Sequence, residues 1–205
     1  GVSSAASDVY KRQVFHKALL LQFVYILFSL GEYIGHKYIM HCYMYFPWLE
    51  NTKSDNVLIK RLKVDCRDHK KHHLNVKNDM TLKNKPEEID ENLFNWPTLS
   101  LISLVLLPFV YGFSKLTSLK VSLKFQILSV LLAVLFFGSV WNGIHPAMHN
   151  EEPNKNIKAG PIGLNIDSDL LTKNHEVHHM VKGQQKGNYN VVFLGSDELL
   201  NSNNM

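Results

Sequence analysis

The sequence predicts an all-α protein, an integral membrane helical bundle, and three observations support this. Residues 92–114 and 125–150 carry no charged side chain when histidine is counted as neutral. As helices these stretches would be about 35 and 39 Å long, enough to cross a bilayer core of about 30 Å. The 11 histidines among 205 residues are clustered, and a hydrophobic content of 45% excludes a disordered chain.

We expect three membrane spans, near residues 17–40, 94–113 and 123–145. The first is the least regular, because its uncharged stretch covers only residues 18–31 and ends at Glu32. We interpret it as a membrane helix whose end enters a polar protein interior, with a soluble core helix as the alternative. Residues 1–13 resemble a translated sequencing adapter, so we treat them as a non-native leader and residues 14–205 as a single membrane domain.

Positive charge is concentrated outside the predicted spans. Of the 22 Lys and Arg residues, ten lie in residues 53–85 and five follow the last span, whereas the link between the second and third spans holds three. The positive-inside rule then puts residues 42–92 and the tail after residue 145 in the cytosol. Nucleic-acid binding is the other interpretation of the basic loop, and membrane spans on both sides disfavour it.

The two cysteines, Cys42 and Cys66, are too few for a disulfide framework. We therefore expect both to be free thiols in a reducing compartment.

Ten histidines fall into four groups with short spacings, and only His16 stands alone. The groups are HX4H (His36 and His41), HX2HH (His69, His72 and His73), HX3H (His145 and His149) and a second HX2HH (His175, His178 and His179). Residues i, i+3 and i+4 share one face of an α-helix, so HX2HH directs three imidazoles, and HX3H two, into one volume. The rings of HX4H would be about 140° apart on an α-helix. We expect that pair to straddle a helix end, to lie at a local bulge or to bind two different metals.

All four groups are predicted to reach the same membrane face. Two of the groups lie at the ends of the first and third spans. The second and third spans form a hairpin, so the start of the second and the end of the third lie on the same side of the membrane. Ten imidazoles exceed the four to six ligands of a single ion, so we expect two ions with about five nitrogens each. Neutral imidazole suits iron, zinc or copper. An all-nitrogen site for two metals beside a membrane indicates oxygen chemistry on a lipid.

These residues resemble the fatty acid hydroxylase superfamily, which also contains sterol desaturases and sterol methyl oxidases. The family's boxes HX3–4H, HX2–3HH, HX3H and HX2–3HH occur here in that order, and residues 187–200 (GNYNVVFLGSDELL) resemble its Asn-rich, Asp-containing ending. The resemblance implies a cytosolic-facing histidine-box di-metal site in which the ten boxed histidines bind two iron ions, with zinc as a substitute in isolated protein. It implies an oxidoreductase of the endoplasmic reticulum that uses O2 to hydroxylate or desaturate a membrane lipid such as a fatty acyl chain or a sterol. No catalytic residue beyond the metal ligands is predicted.

The chain departs from this family in being short, in having three predicted spans where four are usual, and in two polar insertions at residues 51–56 and 151–158. It has no His-Pro-Gly-Gly heme motif. The implied electron donor is therefore a separate partner, cytochrome b5 with its reductase. Acyl-CoA desaturases share HX4H and HX2HH boxes, but the spacing between their boxes differs.

Two other functions remain open at this point. One is a membrane metal transporter or metal-binding protein without oxygenase activity, although transporters hold their ligands near the bilayer midplane. The other is a structural or receptor protein that kept the boxes.

Several side chains near the boxes are candidates for a supporting role. Glu32 is four residues before His36 and could accept its second N–H, which would orient the ring. Similar candidates are Asn142, Asn174 and Glu176, and helix capping or solvation is the alternative for each. Four aromatic residues near the span ends could form an interfacial belt or line a channel mouth: Tyr33, Phe94, Trp96 and Trp141.

Overall fold

The computed structural model describes residues 2–83, 94–149, 157–159, 164–166, 169–180 and 187–204, and these residues are mostly helical. In chain order the elements are α1 (Val2–Ile34), a π turn (Gly35–Met40), α2 (Cys42–Tyr45), α3 (Pro47–Asn51), α4 (Val57–Asn75), α5 (Trp96–Leu116), α6 (Leu123–Ala147), β1 (Ile157–Ala159), β2 (Leu164–Ile166), α7 (Asp169–Met180) and α8 (Ser196–Leu199). The all-α prediction is confirmed apart from the short antiparallel pair β1·β2, in which Ile157 pairs with Ile166. Most of the predicted polar insertion at residues 151–158 lies outside the described residues.

Among the described residues, three helices are long and apolar enough to cross a membrane: Ala6–Met40, Trp96–Leu116 and Leu123–His145. They agree with the predicted spans, except that α1 begins at Val2, within the residues assigned to a leader. Large apolar side chains on these helices are exposed, among them Leu104 (67%), Phe109 (58%) and Leu132 (57%). In a bilayer, lipid tails would cover these side chains and shield their apolar surface from water. The three helices therefore indicate an integral membrane protein.

Local signals explain where two of the helices start. The Asn56 side chain accepts hydrogen bonds from the N–H groups of Leu58 and Ile59 and caps α4. The Asn95 side chain caps α5 in the same way through the N–H of Thr98, and Pro97 occupies the first turn, where no N–H is needed. Both helices thus begin at an Asn cap that can be read in the sequence.

The chain divides into two compact units, and the first comprises Gly1–Phe28 and Asn95–Phe137. Inside it, Phe23 stacks on Phe113 with ring centroids 3.8 Å apart. Gln126 Nε2 donates to Ser114 Oγ over 3.2 Å, a buried polar link between candidate spans. The isolated His16 lies in this unit, where its Nδ1 accepts a hydrogen bond from the Lys120 N–H.

The second unit comprises Ser29–Phe94 and Gly138–Met205 and contains all four histidine boxes. Its fully buried side chains are largely imidazoles and aromatic rings rather than aliphatic groups. The assignment of residues 14–205 to a single domain stays a prediction.

Candidate metal centre

The first histidine box spans the end of the π turn, with His36 on the turn and His41 directly after it. The His41 N–H donates to the His36 carbonyl over 3.0 Å, an i to i+5 bond in place of the α-helical i to i+4 bond. The additional residue in the turn brings the two rings of HX4H over one another, with centroids 5.1 Å apart and planes inclined by 28°. Of the three arrangements expected for this pair, the local bulge is found, and the pair also straddles a helix end, because His41 is the residue after the π turn.

The buried imidazole nitrogens form two groups, and within each group they lie within 4.8 Å of one another. The five-histidine group consists of His36, His41, His69, His73 and His178. The four-histidine group consists of His72, His149, His175 and His179. His36 and His41 thus belong to one group rather than to two.

Each HX2HH box serves both groups. On α4, His69 and His73 are one helical turn apart and join the five-histidine group, while His72 joins the other. On α7 the division is reversed, because His175 and His179 join the four-histidine group and His178 the five-histidine group. The rings of His72 and His73 have centroids 5.6 Å apart, so the two groups are direct neighbours.

The nitrogen spacing in the five-histidine group fits a shared cation. His69 Nε2 lies 3.1 Å from the Nε2 atoms of His36, His41 and His73. A ring nitrogen carries either one proton or one lone pair, so it cannot satisfy three such neighbours by hydrogen bonds. Around an ion with metal–nitrogen bonds of about 2.1 Å, adjacent nitrogens in an octahedral arrangement lie about 3 Å apart.

The four-histidine group has the same spacing. His175 Nε2 lies 3.1 Å from the Nε2 atoms of His149 and His179. His72 Nε2 is buried and has no hydrogen-bond partner among the residues that the structure describes. A buried polar atom without a partner is costly, and a metal ion would satisfy it.

His145, the remaining boxed histidine, lies beside the four-histidine group but is not a member of it. Its ring centroid is 5.0 Å from that of His72 and 4.7 Å from that of His175. Its Nε2 is buried without a hydrogen-bond partner in the described part of the chain, and Trp141 stacks on its ring at 4.8 Å. The structure therefore brings the ten predicted ligands together as nine grouped rings and one adjacent ring, and His16 is a member of neither group.

Four of the grouped rings are oriented through Nδ1. His36 Nδ1 donates to the Tyr189 carbonyl over 2.6 Å, His178 Nδ1 to the Gly187 carbonyl over 2.8 Å and His149 Nδ1 to the Met80 carbonyl over 3.2 Å. His41 Nδ1 lies 2.9 Å from the hydroxyl of Tyr43. Because a carbonyl oxygen can only accept, Nδ1 carries the proton in the first three rings, and the Nε2 lone pair faces the group.

Burial keeps the imidazoles outside the candidate spans neutral. Loss of hydration, reinforced by neighbouring rings, lowers the pKa of five of them well below its ordinary value: His69, His72, His73, His175 and His179. Burial also lowers the pKa of His149 and of His178 to about 4. Neutral imidazole is the form that binds metal ions, so the groups are in their ligating state at neutral pH.

The predicted role of Glu32 is wrong. His36 Nδ1 donates to the Tyr189 carbonyl instead. The Glu32 carboxylate accepts hydrogen bonds from the backbone N–H groups of Val191, Val192 and Phe193, at 3.0, 2.9 and 2.8 Å. The spacing of four residues from His36 misled the prediction, because donors distant in sequence occupy both carboxylate oxygens.

Two of the other predicted supporting residues, Asn142 and Asn174, also bond elsewhere. Asn142 pairs with the backbone N–H and carbonyl of Phe94, each at 2.9 Å. Asn174 donates to the Asn190 carbonyl and accepts from Asn188 Nδ2, and Glu176 is half-buried on α7. Sequence reasoning missed the true orienting groups, which are backbone carbonyls that no residue type signals.

The four candidate aromatic residues divide between the site and the surface. Trp141 and Tyr33 are buried, and the Trp141 ring lies edge-on to His36 with centroids 6.0 Å apart. Phe94 packs against Trp141 at 5.2 Å. Trp96 is 68% exposed, as a residue of an interfacial belt would be.

Tyr189, which was not predicted, packs edge-on against the rings of His36, His41 and His178 at 5.6–5.8 Å.

Cys42 and Cys66 form a disulfide with a Cα–Cα distance of 5.5 Å, so the expectation of free thiols is wrong. Cys42 directly follows His41, and Cys66 precedes His69 by one helical turn. The contact between the first two boxes therefore also brings the sulfurs together. Disulfides persist in oxidising compartments, which argues against the cytosolic side that the basic loop favours.

Comparison with known proteins yields no relative: no family model, no curated protein and no solved structure matches the chain. The resemblance to fatty acid hydroxylases therefore rests on the spacing of the histidine boxes and on residues 187–200.

Proposed function

We propose that the protein is an iron- and O2-dependent membrane oxidoreductase that hydroxylates or desaturates a lipid such as a fatty acyl chain or a sterol. The observation that carries the proposal is the pair of adjacent histidine groups. Both consist of imidazoles alone, and all of these are buried except His179, which is half-buried. An all-imidazole donor set favours iron, zinc or copper over magnesium or calcium, and two neighbouring ions suit O2 reduction better than a structural role.

In this proposal the bound metals supply the activation of O2 for attack on an unactivated C–H bond. The contribution of the chain is to hold and shield them. The Nε2 atoms of both groups form the ligand set, and the carbonyls of Tyr189, Gly187 and Met80 keep the Nδ1 proton on the opposite side of the ring. Full burial of His69, His175 and His178 excludes bulk water from the ligands.

The proposal includes a separate electron donor, cytochrome b5 with its reductase, and an endoplasmic reticulum membrane with the site towards the cytosol. The ten basic residues in residues 53–85 support that side. The disulfide beside the first two boxes opposes it.

The test combines lipid analysis with metal analysis. Lipids of cells that express the wild type are compared by mass spectrometry with those of cells that express His72→Ala, one ligand of the four-histidine group, or His178→Ala, one of the five-histidine group. We expect cells with the wild type to form an oxidised lipid only when O2 is present. If the product is an alcohol, its hydroxyl oxygen should be 18O when the cells are supplied with 18O2. Both variants should lose the product and bind less metal, because each lacks one imidazole of its group.

His16→Ala is the matched control, because His16 belongs to neither group. It should keep both product and metal. Full product and full metal in His72→Ala and His178→Ala would refute the oxidoreductase. Metal binding that requires the boxed histidines, without an O2-dependent product, would favour a metal-binding protein or transporter instead.

A further inference from the structure

The carboxylate of Glu32 is a buried anchor for the tail of the protein. Glu32 lies in the last turns of α1, one helical turn before His36, and is 8% exposed. Three successive backbone N–H groups, at Val191, Val192 and Phe193, donate to its two oxygens at 2.8–3.0 Å. Both side-chain oxygens therefore accept backbone hydrogen bonds, which fixes residues 191–193 against α1.

The segment that Glu32 holds is also the one that orients part of the metal centre. The Tyr189 carbonyl, two residues before Val191, accepts from His36 Nδ1, and the Gly187 carbonyl accepts from His178 Nδ1. Both histidines belong to the five-histidine group. In the four-histidine group, the backbone carbonyl that orients His149 belongs to Met80, in a different part of the chain.

Asn190 reinforces the same attachment. Its Nδ2 donates to the Ser29 carbonyl over 2.8 Å, and its backbone N–H donates to Asp197 Oδ2 over 2.7 Å. Its carbonyl accepts from Asn174 on α7, the helix that carries His178. The tail is thus bonded to α1, which leads into the π turn of His36, and to α7, which carries His178.

We propose that Glu32 is a positioning residue for the five-histidine group alone: by binding the N–H groups of residues 191–193, it holds the Tyr189 and Gly187 carbonyls that orient His36 and His178. This inference rests on the proposed two-metal centre. A carboxylate with only a structural role would affect both groups equally or neither, so selectivity between the groups is the property to measure.

The experiment titrates metal-free, detergent-solubilised full-length protein with Co2+ and follows its visible absorption. One background, His72→Ala/His175→Ala, retains only the five-histidine group. The other, His36→Ala/His69→Ala/His73→Ala, keeps the four-histidine group and leaves only two histidines of the five-histidine group. Glu32→Gln is added to each, because the amide keeps the size of the side chain but turns a donor towards the backbone N–H groups.

We expect Glu32→Gln to weaken Co2+ binding by about 10–100-fold and to change the Co2+ spectrum where only the five-histidine group remains. Affinity and spectrum should be unchanged where only the four-histidine group remains. Glu198→Gln is the matched control, since Glu198 is an exposed carboxylate of the same tail that contacts Asn203. It should change neither background.

A second variant, Asn190→Ala, keeps all three backbone donors to Glu32. It removes the side-chain bonds of Asn190 to the Ser29 carbonyl, to Glu32 Oε2 and to the Asp197 N–H. It should weaken binding less than Glu32→Gln, and again only at the five-histidine group, which keeps the test decisive if Glu32→Gln does not fold. Equal losses at both groups, or no loss at the five-histidine group, would overturn the inference while leaving the proposed function intact. Absence of Co2+ binding in the wild type would overturn both.

Discussion

Gly187 has a backbone conformation that only glycine adopts without strain. Its φ is +103°, and a Cβ at this position would overlap the Asn204 side chain and the Ser202 carbonyl. The same residue supplies the carbonyl that orients His178. Glycine is therefore required at position 187 for steric reasons. A substitution there would also disturb the carbonyl that orients His178, a candidate metal ligand.

Gly187→Ala should lower the free energy of unfolding by about 1–3 kcal/mol, because the residue must either stay strained or move. It should also weaken metal binding, since a displaced carbonyl no longer orients His178. Thermal unfolding in detergent and metal content per chain measure the two effects. Gly112→Ala is the control, because an added Cβ there meets nothing within 4 Å and replaces a helical glycine. An unchanged unfolding temperature in Gly187→Ala would contradict the steric argument.

At the level of elements, the π turn allows both histidines of the HX4H box to belong to one group, although an α-helix would separate their rings. A π turn is an α-helix with one residue inserted, so removal of one residue should restore α-helical geometry with the two histidines at i and i+4. Deletion of Ile39, which is 39% exposed, changes HX4H into HX3H and keeps both rings on one face.

We expect the protein without Ile39 to bind as much metal as the wild type. Deletion of Lys71, an exposed residue of α4, is the comparison, because it turns HX2HH into HXHH and rotates His69 by about 100° relative to His72 and His73. That variant should lose metal from both groups. The metal content per chain of the two deletion variants tests this prediction. Equal losses of metal in both variants would show that the π turn itself is required.

The disulfide joins the elements that carry the first two boxes, since Cys42 begins α2 and Cys66 lies on α4. Both sulfurs are buried beside Leu49. Denatured wild-type protein should therefore take up maleimide only after treatment with a dithiol reductant. The double variant Cys42→Ser/Cys66→Ser should lower the free energy of unfolding by about 3 kcal/mol, because a cross-link over 24 residues is lost. Labelling of both thiols without reductant would refute the pairing.

At the level of the whole molecule, the buried imidazoles make metal-free protein sensitive to acid. His149 and His178 have a pKa of about 4 in the folded protein and one of about 6.5 in an unfolded chain. Between these values the unfolded chain binds more protons. The free energy of unfolding is therefore highest above about pH 6.5 and falls as the pH drops towards 4.

Each of these two histidines should contribute a slope of up to about 1.4 kcal/mol per pH unit in that window. Denaturant unfolding of the metal-free protein at pH 7 and at pH 5 measures the difference. Metal-loaded protein should show a steeper loss, because protons also compete with the ions for the imidazoles. A flat profile of the metal-free protein between pH 7 and pH 5 would contradict neutral burial of the rings.

The sequence was sufficient to predict the three candidate spans and the histidines that share one face of a helix. Both predictions rest on local physical properties. Hydrophobic length alone decides whether a helix such as Leu123–His145 can cross a bilayer. The helical period alone places His69 and His73 on one face. Neither property depends on which other segment of the chain packs nearby.

The tertiary structure alone decided how the imidazoles divide into groups and what orients them. His72 is adjacent to His73 in sequence, yet it joins the other group, because residues from the other three boxes pack around α4. The Cys42–Cys66 pairing and the bond of Glu32 to residues 191–193 likewise join segments far apart in the chain. Every residue carries the same backbone carbonyl, so only packing selects Gly187, Tyr189 and Met80 as the groups that orient the ligands.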